Sequence, residues 1–107
     1  MLSDALLVQL AFDENSKIRR DVAANHQTPQ YILEALSEDK DLWVKRNVAE
    51  NPNTPVDVLI KLSKHNSMTV RYLVAENPNT PVDVLVQLSD DNELLVQKAA
   101  QSNLDYR

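Results

Sequence analysis

Val48-Ala49-Glu50-Asn51-Pro52-Asn53-Thr54-Pro55-Val56-Asp57-Val58-Leu59 returns without a change as Val74 to Leu85, an offset of 26 residues. Outward from this stretch the same offset links Asn25, Asn51, Asn77 and Asn103, then Thr28, Thr54 and Thr80, and then Pro29, Pro55 and Pro81. Apolar series keep step with it: Ile18, Val44, Val70 and Val96, and Leu10, Leu36, Leu62 and Leu88. A period of this length marks an array of supersecondary units, each unable to bury its apolar face alone. Such arrays serve as binding surfaces more often than as reaction vessels. The spacing divides one domain, residues 1–107, into copies at roughly 1–26, 27–52, 53–78 and 79–104.

Each copy reads as two short helices. Thr54-Pro55-Val56-Asp57 has the form of a helix start, with the Thr54 hydroxyl expected at the N-cap and Pro55 at the first helical position, where no N–H is needed. Asp57, three residues on, is expected to complete a capping-box-like arrangement and to favour the positive end of the helix. Thr80-Pro81-Val82-Asp83 repeats this start, Thr28-Pro29-Gln30-Tyr31 keeps it without the carboxylate, and Ser3-Asp4 opens an irregular first copy. The second helix of each copy is expected to end at Asn25, Asn51, Asn77 or Asn103, each acting as a left-handed terminator in place of glycine. The chain has no glycine, which favours helices joined by brief turns that Asn, Asp and Pro can make. The predicted helices cover residues 4–12, 16–24, 29–37, 41–50, 55–63, 67–76, 81–89 and 93–102, and some are short enough to be single 3₁₀ turns.

The first helix of the third copy shows a broad apolar face, Val56, Val58, Leu59, Ile60 and Leu62, with Asp57, Lys61 and Lys64 facing water. On the second helix, Lys45 falls between the apolar groups Val44/Val48 and Leu42/Ala49, and Arg19, Arg71 and Gln97 stand at equivalent positions. Six residues before each of the four lie Asp13, Asp39, His65 and Asp91. This reads as a ladder of acid–base pairs, in which an inward Arg buries its stem and gives its donors to aspartate or to loop carbonyls of a neighbouring copy. His65 and Gln97 break the pattern, and Asn66 is the substitute acceptor expected beside Arg71.

Composition excludes several classes. Without cysteine there is no disulfide framework, thiolate zinc site or cysteine-held iron–sulfur cluster. His65 and His26 have no metal-ligand spacing, so no metal or cofactor is expected. A net charge of −5 disfavours general binding to nucleic acid, which needs positive surface to displace counterions. Met1-Leu2-Ser3-Asp4 shows no signal-peptide pattern and no apolar run approaches a membrane span, so a cytoplasmic setting is the expectation. There is no paired-carboxylate cleft, no nucleophile beside a base and no Gly-rich phosphate loop, so an enzyme is not expected.

The pattern Val-Arg/Lys, Val-Ala, Asn-Pro-Asn-Thr-Pro and Leu-x-x-Leu resembles the leucine-rich repeat variant class, and the six-residue Asp-to-Arg spacing resembles HEAT repeats. The resemblance runs from about Leu6 to Asn103, is strongest in Lys45 to Leu62 and Arg71 to Leu88, and fades in the first copy and at Leu104 to Arg107. It implies an all-α, right-handed α-solenoid of about four two-helix repeats and a role in protein recognition. Some variant-class proteins hold an iron–sulfur cluster through cysteines, and that feature does not carry over here. The variant class alternates α and 3₁₀ helices whereas HEAT repeats pair two α-helices; the period leaves this open, and paired α-helices are the expectation.

In arrays that resemble HEAT proteins the second helices line the concave side. Their outward positions form rows: Arg20, Arg46, Tyr72 and Lys98; Lys17, Trp43, Thr69 and Leu95; Asp21, Asn47, Leu73 and Ala99; Ala24, Glu50, Glu76 and Ser102. Aromatic anchors among Arg and Lys are the usual chemistry of interface hot spots. The candidate partner-binding residues are Lys17, Arg20, Trp43, Arg46, Asn47, Glu50, Tyr72, Leu73, Glu76, Leu95 and Lys98. The competing reading folds Trp43 back into the core against Leu42. Glu38, Asp57, Asp83 and Asp90, on the opposite face, read as a solvated acidic surface. The expected function is a non-enzymatic module that binds a protein or peptide. The alternative is nucleic-acid binding through Lys17, Arg20, Arg46, Arg71 and Lys98. A weak homodimer through an array end is a further expectation, with Leu94, Leu95 and Val96 as sticky residues beside the partial polar cap of Gln97, Lys98, Gln101 and Ser102.

Overall fold

A computed structural model describes residues 2–107. These residues form eight α-helices and no strand: α1 Asp4–Ala11, α2 Ser16–Ala24, α3 Gln30–Leu36, α4 Leu42–Glu50, α5 Val56–Leu62, α6 Met68–Glu76, α7 Val82–Leu88 and α8 Leu94–Asp105. All eight are α rather than 3₁₀. The body is elongated, 39 × 24 × 17 Å. The even-numbered helices pack directly on one another, α2 on α4, α4 on α6 and α6 on α8, while the odd-numbered helices meet one another more sparsely. Between the layers runs one continuous core in which Leu7, Leu33, Leu59 and Leu85 of the first helices and Val44, Val70 and Val96 of the second are wholly buried.

The Thr-Pro starts work differently from the expectation. The N-cap of α3, α5 and α7 is the proline itself, Pro29, Pro55 or Pro81, and no side chain caps the helix. Thr28, Thr54 and Thr80 are buried, and their hydroxyls donate backward to the carbonyls of Val22, Val48 and Val74 at 2.5–2.7 Å. Thr therefore closes the preceding helix rather than opening the next. Each of these last-turn carbonyls also accepts from the C-cap asparagine N–H three residues on, and the threonine hydroxyl supplies its second partner. Nor is there a capping box: the Asp57 and Asp83 carboxylates accept from the next backbone N–H, of Val58 and Val84.

The asparagines depart from the expectation too. Asn25, Asn51 and Asn77 have extended backbones, and no described residue has a positive φ. Each accepts through Oδ1 from the N–H two residues on, a local turn that a short polar side chain can make without a left-handed backbone. The rest of the amide reaches across copies. Asn51 Nδ2 donates to the carbonyls of Ala23 and Asn25, Asn77 Nδ2 to those of Ala49 and Asn51, and Asn103 Nδ2 to those of Ala75 and Asn77, all at 2.8–3.0 Å. Asn103 ends no helix. Tyr106 stands where the threonine would be, and α8 runs on to Asp105.

The basic ladder also crosses between copies. Arg19 pairs with Asp39, twenty residues later, at 2.8 Å, and Arg71 pairs with Asp91 at the same distance. The residue six before contributes its backbone carbonyl: Arg19 Nη1 donates to Asp13 and Glu14, and Arg71 Nη1 to His65 and Asn66. Gln97 keeps this second contact, to Asp91. The middle rung lacks the pair, because His65 stands opposite Lys45 where an aspartate faces each arginine.

The first helices bury a narrower arc than expected. Val58, Leu59 and Leu62 face the core, whereas Val56 and Ile60, and likewise Val82 and Val86, are exposed. In a helix of seven residues, positions 58, 59 and 62 already fill the buried arc, and the i, i+4 pair 56 and 60 falls outside it.

Candidate functional site

Trp43 is the second residue of α4, two positions after the N-cap Asp41. One Asp41 oxygen accepts from the Trp43 backbone N–H at 2.8 Å; the other accepts from Arg20, with Nε at 3.0 Å and Nη2 at 2.9 Å. A single carboxylate thus starts the helix and fixes the arginine of the previous copy. Burial pushes the Asp41 carboxyl up, but the Trp43 N–H and the Arg20 hydrogen bond and charge outweigh it and hold the group below its ordinary range. The Trp43 ring is 49 % exposed rather than folded into the core. The Arg46 guanidinium lies 3.8 Å from the ring centroid, and that of Arg20 lies 5.8 Å from it. Both are within cation–π range.

The other candidate positions all lie on the second helices. Lys17, Glu50, Glu76, Leu95 and Lys98 are exposed. Arg20, Arg46, Asn47, Tyr72 and Leu73 are half-buried. Tyr72 and Leu73 pack against the core instead of standing free, and the Tyr72 hydroxyl donates to Glu76 at 3.0 Å, which raises the Tyr72 pKa. Asn47 donates to the Arg20 carbonyl at 3.1 Å, so its amide is committed to packing one copy on the next. Glu50, Leu73 and Glu76 come together with Asn77 and Pro78 around a cavity of about 310 Å³. The row therefore has a basic, aromatic end at Lys17, Arg20, Trp43 and Arg46 and an acidic flank at Glu50 and Glu76.

Two other groups of residues sort differently. Arg71 is held by Asp91 and two carbonyls, so it leaves the set Lys17, Arg20, Arg46, Arg71 and Lys98 incomplete as an open basic stripe. At the array end, Leu94 and Leu95 are exposed, but Val96 is wholly buried and is not a sticky residue. On the opposite face Glu38, Asp57, Asp83 and Asp90 are exposed as expected, with Glu38 paired to Lys61 at 2.6 Å. The first helices also carry the exposed Val56 and Ile60, which the sequence placed on the apolar face, and the exposed Val82 and Val86 one copy on. Among the described residues no His, Asp or Glu cluster is arranged to hold a metal, and no helix is long and apolar enough to cross a membrane.

Residues 69–93 match the family model described as leucine rich repeat variant. The match covers one 25-residue stretch of the chain. It runs from the first turn of α6, through Asn77, Thr80 and the Thr-Pro start of α7, to the Asp91 turn before α8. The matched stretch contains the Thr80 hydroxyl that closes α6 and the Arg71–Asp91 pair, together with Asn77, whose amide reaches outside the stretch to Ala49 and Asn51. A comparison with curated proteins gives no match. Variant repeats are helical modules that commonly mediate protein interaction. In this chain α2, α4, α6 and α8 pack in one layer that carries the second-helix row.

Proposed function

We propose that the chain is a non-enzymatic protein-interaction module: a right-handed α-solenoid of four two-helix copies that presents the outward face of its second helices to a protein or peptide. The observation that carries this reading is the half-exposed Trp43, with the guanidiniums of Arg46 at 3.8 Å and Arg20 at 5.8 Å from its ring centroid. Tryptophan and arginine dominate interface hot spots, because a rigid aromatic face and a fixed fork of donors lose little conformational freedom on binding. Asp41 fixes both the backbone of Trp43 and the side chain of Arg20 before any partner arrives. The net charge of −5 and the engagement of Arg71 weigh against a nucleic-acid stripe on the same face.

The test is affinity capture with the native chain and with a Trp43→Ala, Arg46→Ala, Tyr72→Ala variant, folding being verified by circular dichroism. A partner retained by the native chain and lost by the folded variant supports the face. A partner bound equally by both moves the interface elsewhere, and the exposed Val56, Ile60, Val82 and Val86 face becomes the next surface to substitute.

A further inference from the structure

Five arginines occur in the chain, and four are hydrogen-bonded within it. Arg19, Arg20 and Arg71 each hold a carboxylate, and Arg107 donates to Asn103 and to the Pro78 carbonyl. Arg46 is the exception among the described residues. It has no ion pair and no hydrogen bond, and its Nε is buried without a partner. Glu50, one turn along α4, does not reach it. The guanidinium is nevertheless fixed in place, stacked on Trp43 at 3.8 Å. A stacked arginine is a rigid fork of donors whose shape matches a carboxylate, and its Nη groups remain open to one.

We infer that the partner places an acidic side chain on Arg46, next to an apolar group that covers the exposed part of Trp43. This rests on the interaction-module reading above and deepens it by assigning the partner's chemistry. The local charge agrees. Arg20 adds a second cation beside the same ring, and its counter-ion Asp41 is already used. The surrounding carboxylates decide between an acidic peptide and a nucleic acid. Glu50 and Glu76 are exposed on the same layer, and Asp21 is exposed on the preceding helix. A polymer with a charge at every residue would run across them, whereas a peptide can present one carboxylate to Arg46 and neutral residues to the acidic flank.

Trp43 is the only tryptophan, so its fluorescence reports this site alone. The probes are acetyl-Ala-Leu-Glu-Leu-Ala-amide and its Gln counterpart, titrated against the full chain. The Glu peptide is expected to change the emission saturably and to bind at least about tenfold more tightly than the Gln peptide, since a charge-assisted fork is worth roughly twice a neutral hydrogen bond. Arg46→Gln should abolish that preference. Arg46→Lys, which keeps the charge and the aliphatic stem, should retain only part of it, with circular dichroism checking that both variants are folded.

Equal binding of the two peptides, no binding of either, or a preference that survives Arg46→Gln would overturn the inference. So would a short oligothymidylate that displaces the Glu peptide and itself requires Arg46, because the site would then be built for phosphate. If the peptide test fails while the triple substitution still abolishes partner capture, the interaction face stands and only the acidic chemistry falls.

Discussion

The side-chain amide of Asn77 lies 2.9 Å from the carbonyl oxygen of Ala49, 28 residues earlier in the chain. It also donates to the carbonyl of Asn51 at 3.0 Å, and both contacts are buried. Asn77→Ala would strand the buried Ala49 carbonyl and remove one of two donors from the Asn51 carbonyl, which keeps the Thr54 N–H, at a cost of roughly 1–3 kcal/mol. Asn25 occupies the same position in the first copy but makes no such donation to an earlier copy, so Asn25→Ala should cost clearly less. Urea unfolding of the two variants side by side checks this; equal losses would mean that the rung carries no special stability.

Thr54 separates the two readings of the Thr-Pro start. As an N-cap it would be improved or unharmed by Asp. In the observed role it donates to the Val48 carbonyl from a wholly enclosed position, so Thr54→Asp would bury a carboxylate against a carbonyl. The expected result is a loss of several kcal/mol or failure to fold. Thr54→Ser, which keeps the donor, should lose about 1 kcal/mol for the missing methyl. Thermal melts of the two variants settle the role.

His65 makes the centre of the stack sensitive to pH. Its Nδ1 accepts from the Ser67 N–H at 2.9 Å, the contact that Asp13, Asp39 and Asp91 make with carboxylate oxygens at the equivalent turns. Burial, then the charges of Lys45 and Arg71, hold the imidazole below its ordinary pKa of 6.5. The fold therefore favours neutral His65. Its contribution to stability is complete above the unfolded value and is lost as the pH falls through the lowered folded one. The melting temperature of the native chain should decline as the pH falls below the ordinary imidazole value of 6.5. His65→Asp should remove that decline and add about 1 kcal/mol near neutrality by pairing with Lys45. An unchanged slope in this variant would assign the decline to other groups.

Adjacent residues on α7 test the narrow buried arc. Leu85 is wholly buried and Val86 is half-exposed. Leu85→Ala should cost about 2–5 kcal/mol, whereas Val86→Gln should stay within about 0.5 kcal/mol of the native chain. A large loss at Val86 would restore the broad face that a helical wheel draws.

The sequence made the helices legible because the 26-residue offset repeats them and prolines mark the starts of α3, α5 and α7, and the observed bounds differ from the expected ones mainly by a residue. The larger departure is α8, where Tyr106 replaces the threonine and the helix continues to Asp105. What escaped sequence reading were the partners. Thr54 has the statistics of a cap, and only coordinates show its hydroxyl turned back to Val48. Arg19 and Asp13 are close in sequence, yet the carboxylate that Arg19 holds belongs to Asp39 in the next copy. Contacts between copies cannot be read from a unit considered alone. Within the candidate site, Arg46 is three residues beyond Trp43, a spacing that brings side chains together on one helix face, whereas Arg20 reaches the same ring only because α2 packs on α4.

The asparagine ladder gives the stack a direction, since the amides of Asn51, Asn77 and Asn103 each point to the copy before. A junction of this kind is indifferent to how many units it joins. Between Val48–Leu59 and Val74–Leu85 the chain carries the same twelve residues twice, so an unequal genetic exchange between the two stretches would add or remove one whole unit with every junction intact. Each added unit would extend the second-helix layer by one helix, leaving the Trp43 platform unaltered.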